Sequence, residues 1–114
     1  MIEEHQKPSV FVIIPAFNES LSIGHVVKDI PKNIVNEVIV VDNGSTDGTG
    51  EIAKRSGATV LREDRKGYGY SCLKGMNYLE SIADTNDIIV FLDGDYSDFP
   101  DEIPMLIAPI MEYD

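Results

Sequence analysis

Four short apolar runs constrain most of what this 114-residue chain can fold into. They are SVFVIIP (Ser9 to Pro15), EVIVVD (Glu37 to Asp42), the weaker ATVLRE (Ala58 to Glu63) and DIIVFLD (Asp87 to Asp93). All are rich in β-branched residues, and each stops at a proline or an acid. Unbroken apolar runs of this length suit strands buried on both faces, as in a parallel sheet. The segments between them have helical spacing. Leu21, Val26, Val27 and Ile30 mark the first, and Ile52 and Ala53 with a stop at Gly57 mark the second. Cys72, Leu73, Met76, Leu79 and Ile82 mark the third, with Cys72 read as core, and Met105, Leu106 and Ile110 mark a fourth. Strict alternation of this kind predicts an α/β fold with a doubly wound, mostly parallel sheet, residues 1–114 forming a single domain.

Ligands of such sheets gather outside the carboxyl ends of the strands. Here those ends read PAFNES, DNGSTDGTG, REDRKGYGYS and DGDYSD. The last carries Asp93 and Asp95 two positions apart, so both carboxylates can point to one side. Gly94 between them permits close approach. Like charges so close repel unless a cation lies between them. Together with diphosphate oxygens they would make an oxygen shell suited to Mg²⁺ or Mn²⁺; a solvated acidic loop is the simpler alternative. An EF-hand starting at Asp93 would need glycine and glutamate where Asp98 and Pro104 stand. A phosphatase of the haloacid dehalogenase type would carry its Asp-x-Asp pair on the first strand.

Asp42 ends its strand before a turn, where its carboxylate can accept hydrogen bonds from a base or a ribose. Ser45, Thr46 or Asp47 can cap the helix that follows, as Asn18 or Ser20 can cap the first. Phe17 stands on the rim, where a ring can stack on a flat base or simply pack. Glu19 suits a first helical turn. Arg65 and Lys66 can meet phosphate oxygens or lie in solvent. Gly67 and Gly69 satisfy only the start of a dinucleotide fingerprint, and no P-loop is present. His5 and His25 are read as surface residues.

The net charge of −11 argues against nucleic acid or an anionic membrane as partner. Cys72 is the only cysteine, so no internal disulfide forms, in keeping with a cytoplasmic setting. The first residues, MIEEHQKPSV, have no apolar region of a secretory signal. No apolar run approaches the ~20 residues of a spanning helix.

Taken in order, VIIPAFNE, EVIVVDNGSTDGT, RKGYGYSCLKG and FLDGD resemble the family 2 glycosyltransferases from about Val10 to Pro109. Within that family the chain looks most similar to the dolichyl-phosphate mannosyltransferase and polyprenyl-phosphate glycosyltransferase branch. The resemblance implies a GT-A fold, of which this chain would be the Rossmann-like, donor-binding half. It implies transfer of a sugar, with inversion, from a UDP- or GDP-sugar to a polyprenyl phosphate or a glycan.

By this resemblance Pro15, Phe17 and Glu19 line the nucleotide pocket, Asp42 contacts the base, and Gly44 and Asp93 belong to the same donor site. Asp93 and Asp95 would hold Mg²⁺ or Mn²⁺, with Asp95 the direct ligand. A second aspartate commonly follows Asp42 in the family; here Asn43 stands instead, one charge fewer. The general base is expected beyond Asp114. The polyprenyl branch would place the full-length protein at the cytoplasmic face of a membrane, and a donor half alone is expected to self-associate. A non-catalytic nucleotide-binding module is the alternative, and would bind diphosphate without transferring sugar. A sugar-nucleotide pyrophosphorylase would need a glycine-rich basic loop where PAFNES stands.

Overall fold

A computed structural model describes residues 8–94. The elements run β1 (Val10–Ala16), α1 (Ile23–Asp29), β2 (Glu37–Asp42), α2 (Thr49–Arg55), β3 (Thr59–Arg62), α3 (Tyr68–Glu80) and β4 (Ile88–Phe91). All four strands are parallel, in the order β3-β2-β1-β4. This is the doubly wound α/β sheet the alternation predicts. The expected fourth helix, around Met105 to Ile110, lies outside the described residues.

β1 is central, and Val10 to Ile14 are buried without interruption. Alternate side chains serve opposite faces. Val10, Val12, Ile14 and Ala16 join Val38, Val40, Ile88 and Val90 under α1 and α2, packed on Ile23, Val26, Val27, Ile30 and Ala53. Phe11, Ile13, Ile39 and Val41 face the other way, under Leu79 of α3.

Pro15 sits inside this central strand, where a missing N–H would ordinarily cost a ladder bond. The register removes that cost. The carbonyls of Val10 and Ala16 accept from β2's side, at Asn36 and Asn43, whereas Ile13 accepts from Leu92 beyond β4. Odd positions therefore face β4, whose pairing ends at Ile13 with Phe91. Pro15 lies past that end.

Three details differ from the sequence expectation. The stripe that α3 buries is Ser71, Gly75 and Leu79, spaced by four, while Leu73 and Met76 are about half exposed. Cys72 is only half-buried, not core. In the α1 region Leu21 is 95% exposed, because the helix begins at Ile23 and the chain before it belongs to the rim. The tight approach of α3 explains the first difference. A Cβ on Gly75 would lie 2.8 Å from Cγ2 of Ile13, so only a glycine lets the helix backbone settle there.

Candidate functional site

At the carboxyl rim the loops after β1 and β2 are joined by side chain–backbone hydrogen bonds. The Asn18 amide donates to Ser45 Oγ (2.8 Å), Thr46 N donates to Asn18 Oδ1 (3.0 Å), Glu19 N donates to Thr49 Oγ1 (2.9 Å), and Ser20 N donates to Asp47 Oδ2 (3.1 Å). Asn18 takes a left-handed φ of 52°, a conformation asparagine tolerates better than most residues. Ser45 thus acts across the loops rather than as a helix cap, whereas Asp47 bridges the loops and also takes the N–H of the first residue of α2. Gly48 (φ 87°) is the N-cap of α2 and Ser22 that of α1, each without a side-chain capping bond. Asp47 also accepts from Thr49's amide and hydroxyl, and these bonds hold its carboxyl down at about 2.

Asp42 is buried at the end of β2, where its Oδ1 accepts from Ser45 N at 2.9 Å. Its other oxygen lies 2.9 Å from where a Cβ of Gly50 would stand, so the glycine leaves room for the carboxylate. Asp42, Ser45, Thr49, Gly50 and Arg62 line an open cleft of about 630 Å³ between α2 and β3. Gly44 follows with φ 87°.

The loop after β3 brings the basic residues, and it separates them. Arg65 folds back on buried Glu63, donating from Nε at 3.1 Å and from a terminal nitrogen at 3.0 Å, and it lies 4.4 Å over the Tyr70 ring. Bonds from the Arg65 side chain and amide hold the Glu63 carboxyl at about 2. Lys66 turns the other way. Its Nζ lies 4.2 Å over the Phe17 ring and 3.5 Å from the place a Gly44 Cβ would take. Phe17, Gly44 and Lys66, from three successive strand ends, therefore meet at one point. Below them Pro15, Phe17, Asn43, Tyr68 and Ser71 line a small slot of about 150 Å³.

After β4, Gly94 packs into the same rim. A Cβ there would meet Ile23, Glu19 and Ala16 at 3.3–3.5 Å, and Ser22 Oγ donates to its carbonyl at 2.6 Å, with Glu19 Oε2 3.3 Å from the same hydroxyl. Asp93, exposed, immediately precedes this anchored glycine. Asp95 lies outside the described residues. Among the described residues no three His, Cys, Asp or Glu side chains converge as a metal-holding group. A carboxylate oxygen is the hard donor type that Mg²⁺ and Mn²⁺ prefer, so exposed Asp93 at the end of β4 fits such an ion. His25 is exposed, as expected.

Two residues here were not readable as functional from sequence. Glu63 looked like the end of a weak strand, and Asn43 like a missing charge. The only sequence signal was their polarity at strand ends that pack against apolar neighbours.

Comparison with known proteins gives a consistent answer. The family model described as Glycosyl transferase family 2 matches residues 11–114. An uncharacterised protein of Methanocaldococcus jannaschii is 33% identical over 111 residues, covering 96% of this chain and 45% of that protein. Glucosyl-3-phosphoglycerate synthase of Mycolicibacterium smegmatis is 34% identical over 119 residues, covering 93% and 37%. The crystal structure of the Mycobacterium tuberculosis synthase in complex with Mn²⁺, UDP and glucosyl-3-phosphoglycerate superimposes with a TM-score of 0.77 at 32% identity, covering 91% of this chain and 40% of that one. The chain thus spans less than half the length of these relatives.

Proposed function

Because the chain belongs to glycosyl transferase family 2, we propose that it is the donor-binding part of a metal-dependent glycosyltransferase that takes its sugar from a UDP-sugar. The observation that carries this reading is the convergence of Phe17, Gly44 and Lys66 over the strand ends, beside buried Asp42 and the Asp93–Gly94 corner. Each position supplies what a nucleoside diphosphate needs. Phe17 offers a ring face to a base, and Asp42 a fixed acceptor for base or ribose. Pro15 and Glu19 shape the wall between them, and Gly44 keeps that wall free of side chain. Asp93, with Asp95, would hold Mg²⁺ or Mn²⁺; the bound ion would offset charge building on the departing diphosphate.

UDP is preferred over GDP because the similar synthase was crystallised with UDP and Mn²⁺. Of the basic pair, Lys66 is the one assigned to the donor. Arg65 already spends its guanidinium on Glu63 and Tyr70. In a chain of net charge −11, one well-placed lysine and a divalent ion are what offset the field against an anionic ligand. The acceptor named for the similar synthases is a phosphoglycerate, and the described residues offer no basis for choosing a polyprenyl phosphate. No described helix is long and apolar enough to cross a membrane. Self-association would use the side of β4 that pairs with no described strand, near exposed Leu73, Met76 and Phe91.

A thermal-shift panel of UDP, GDP, CDP and ADP, with and without Mn²⁺, tests the reading. UDP with Mn²⁺ at about one hundred times its Kd should add about 2.7 kcal/mol of stability. Asp95→Asn should remove the Mn²⁺-dependent part, and Asp42→Asn should weaken UDP with or without metal. A panel in which no nucleotide raises the melting temperature sinks the proposal.

A further inference from the structure

We propose that Asn43 is a positioning residue that seats Lys66 at the donor site, by clamping the β3–α3 loop to the end of β2. This inference rests on the donor-site reading above and assigns a task to a residue that reading leaves idle. Asn43 is 8% exposed and uses its whole side chain on one loop. Its Nδ2 donates to the carbonyls of Glu63 (2.7 Å) and Arg65 (2.8 Å), and its Oδ1 accepts from Gly67 N at 3.0 Å. Its own amide donates to Ala16 O at 2.9 Å, which fixes it to β1 as well.

The bonds fall on both sides of Lys66. Two hold residues 63 and 65, and the third holds residue 67. A lysine between such anchors has little backbone freedom, which is why its Nζ can rest over Phe17 from a loop that is otherwise exposed. The clamp also requires an amide. The two carbonyls need two donors and the Gly67 N–H needs an acceptor, and only asparagine or glutamine carries an NH₂ and a carbonyl oxygen on one planar group. An aspartate would set its carboxylate against two carbonyl oxygens beside Glu63 and Asp42. The left-handed φ of 134° at Gly67 lets the loop turn into α3 while its amide still faces Asn43.

The test uses the whole chain, with UDP and Mn²⁺ as the probe, in a double-mutant cycle. Asn43→Asp and Asn43→Ala should each weaken UDP about tenfold, the order expected when a few buried hydrogen bonds are lost. In a Lys66→Met background the same changes should weaken it by less than about twofold, because the residue they position is gone. Hydrogen exchange at the Gly67 amide should speed up in Asn43→Ala, which removes the oxygen that accepts from it. Equal losses in the two backgrounds would show that Asn43 acts without Lys66 and overturn the proposal. Unaltered exchange at Gly67 would do the same, as would failure of both Asn43 variants to fold, which would make the residue a fold determinant. If the wild-type chain binds no UDP, the donor reading fails by itself, and Gly67 exchange still decides whether the clamp exists.

Discussion

The two faces of the sheet are built from the same kind of strand yet are closed in different ways. Among the described residues, sixteen buried apolar side chains form the face covered by α1 and α2, drawn from β1, β2, β4, the two helices and the segments that join them. On the α3 side the described residues include five, and Leu79 is the one fully buried apolar side chain that the helix supplies. What the α3 side lacks in apolar burial it makes up with close approach and polar ties. Gly75 lets α3 settle onto Ile13, Tyr78 donates to Glu37 Oε2 at 2.6 Å, and Asn43 and Glu63 fasten the loop that enters the helix. The thick face works as the foundation. The thin face carries the loop with Lys66, and a loop that meets a ligand is better held by a few directional bonds than by an extensive core.

The largest expected effect compares truncations on the two sides. Ile23→Ala, in the thick cluster, should cost about 4 kcal/mol, near the top of the range for a residue whose neighbours cannot collapse inward. Leu79→Ala should cost about 2–3 kcal/mol, because α3, with no other described helix packed beside it, can shift toward the gap. Both residues are essentially fully buried, so exposure does not explain the difference. Urea denaturation of the two variants decides the matter: equal losses would mean that α3 is as firmly packed as α1.

The next effect is smaller and turns on a sign. Glycine to alanine inside an exposed helix ordinarily stabilises by about 1 kcal/mol. At Gly75 the new methyl would meet Ile13 at 2.8 Å, and overpacking of this kind costs about 1–3 kcal/mol. Gly75→Ala should therefore destabilise by about 1 kcal/mol net. A rise in melting temperature would show that α3 stands further off the sheet.

These cases also show what the sequence could and could not reveal. The strands were legible because parallel strands buried on both faces must be apolar throughout, and β2 matches its run residue for residue. The rim positions of Phe17, Asp42 and Asp93 were legible because each stands at or just past a strand end. The face of α3 was misread for a physical reason. Counting apolar side chains selects Leu73 and Met76, whereas close packing selects the small residues Ser71 and Gly75. Asn43 was read as a lost charge because its partners, the carbonyls of Glu63 and Arg65, are some twenty positions away and carry no side-chain signature. The role of Glu63 was hidden similarly, since its bonds to Arg65 exist only once the loop has turned.

The smallest effect separates the faces by acid. Glu63 has its carboxyl held at about 2 in the folded chain, below its ordinary 4.5, chiefly by the Arg65 side chain. A group depressed on folding stabilises above its unfolded value and loses that contribution as pH falls through its folded one. The loss from Glu63 therefore falls between pH 4.5 and about 2. Arg65 is more than half exposed, so solvent screens the pair and the effect is modest. It should also be local. Acid should lower protection against hydrogen exchange, measured relative to the intrinsic rate at each pH, in the first turn of α3 before it does so in α1, whose buried contacts carry no titrating group. Asp47, also held at about 2, ties the loops before α1 and α2, so some acid response on the thick side will remain in every variant. Glu63→Gln should flatten the response of the α3 amides and leave that of the α1 amides as in wild type. If the substitution flattened both equally, the two faces would be unfolding as one unit, and the division between a foundation and a loop-bearing side would not hold below neutral pH.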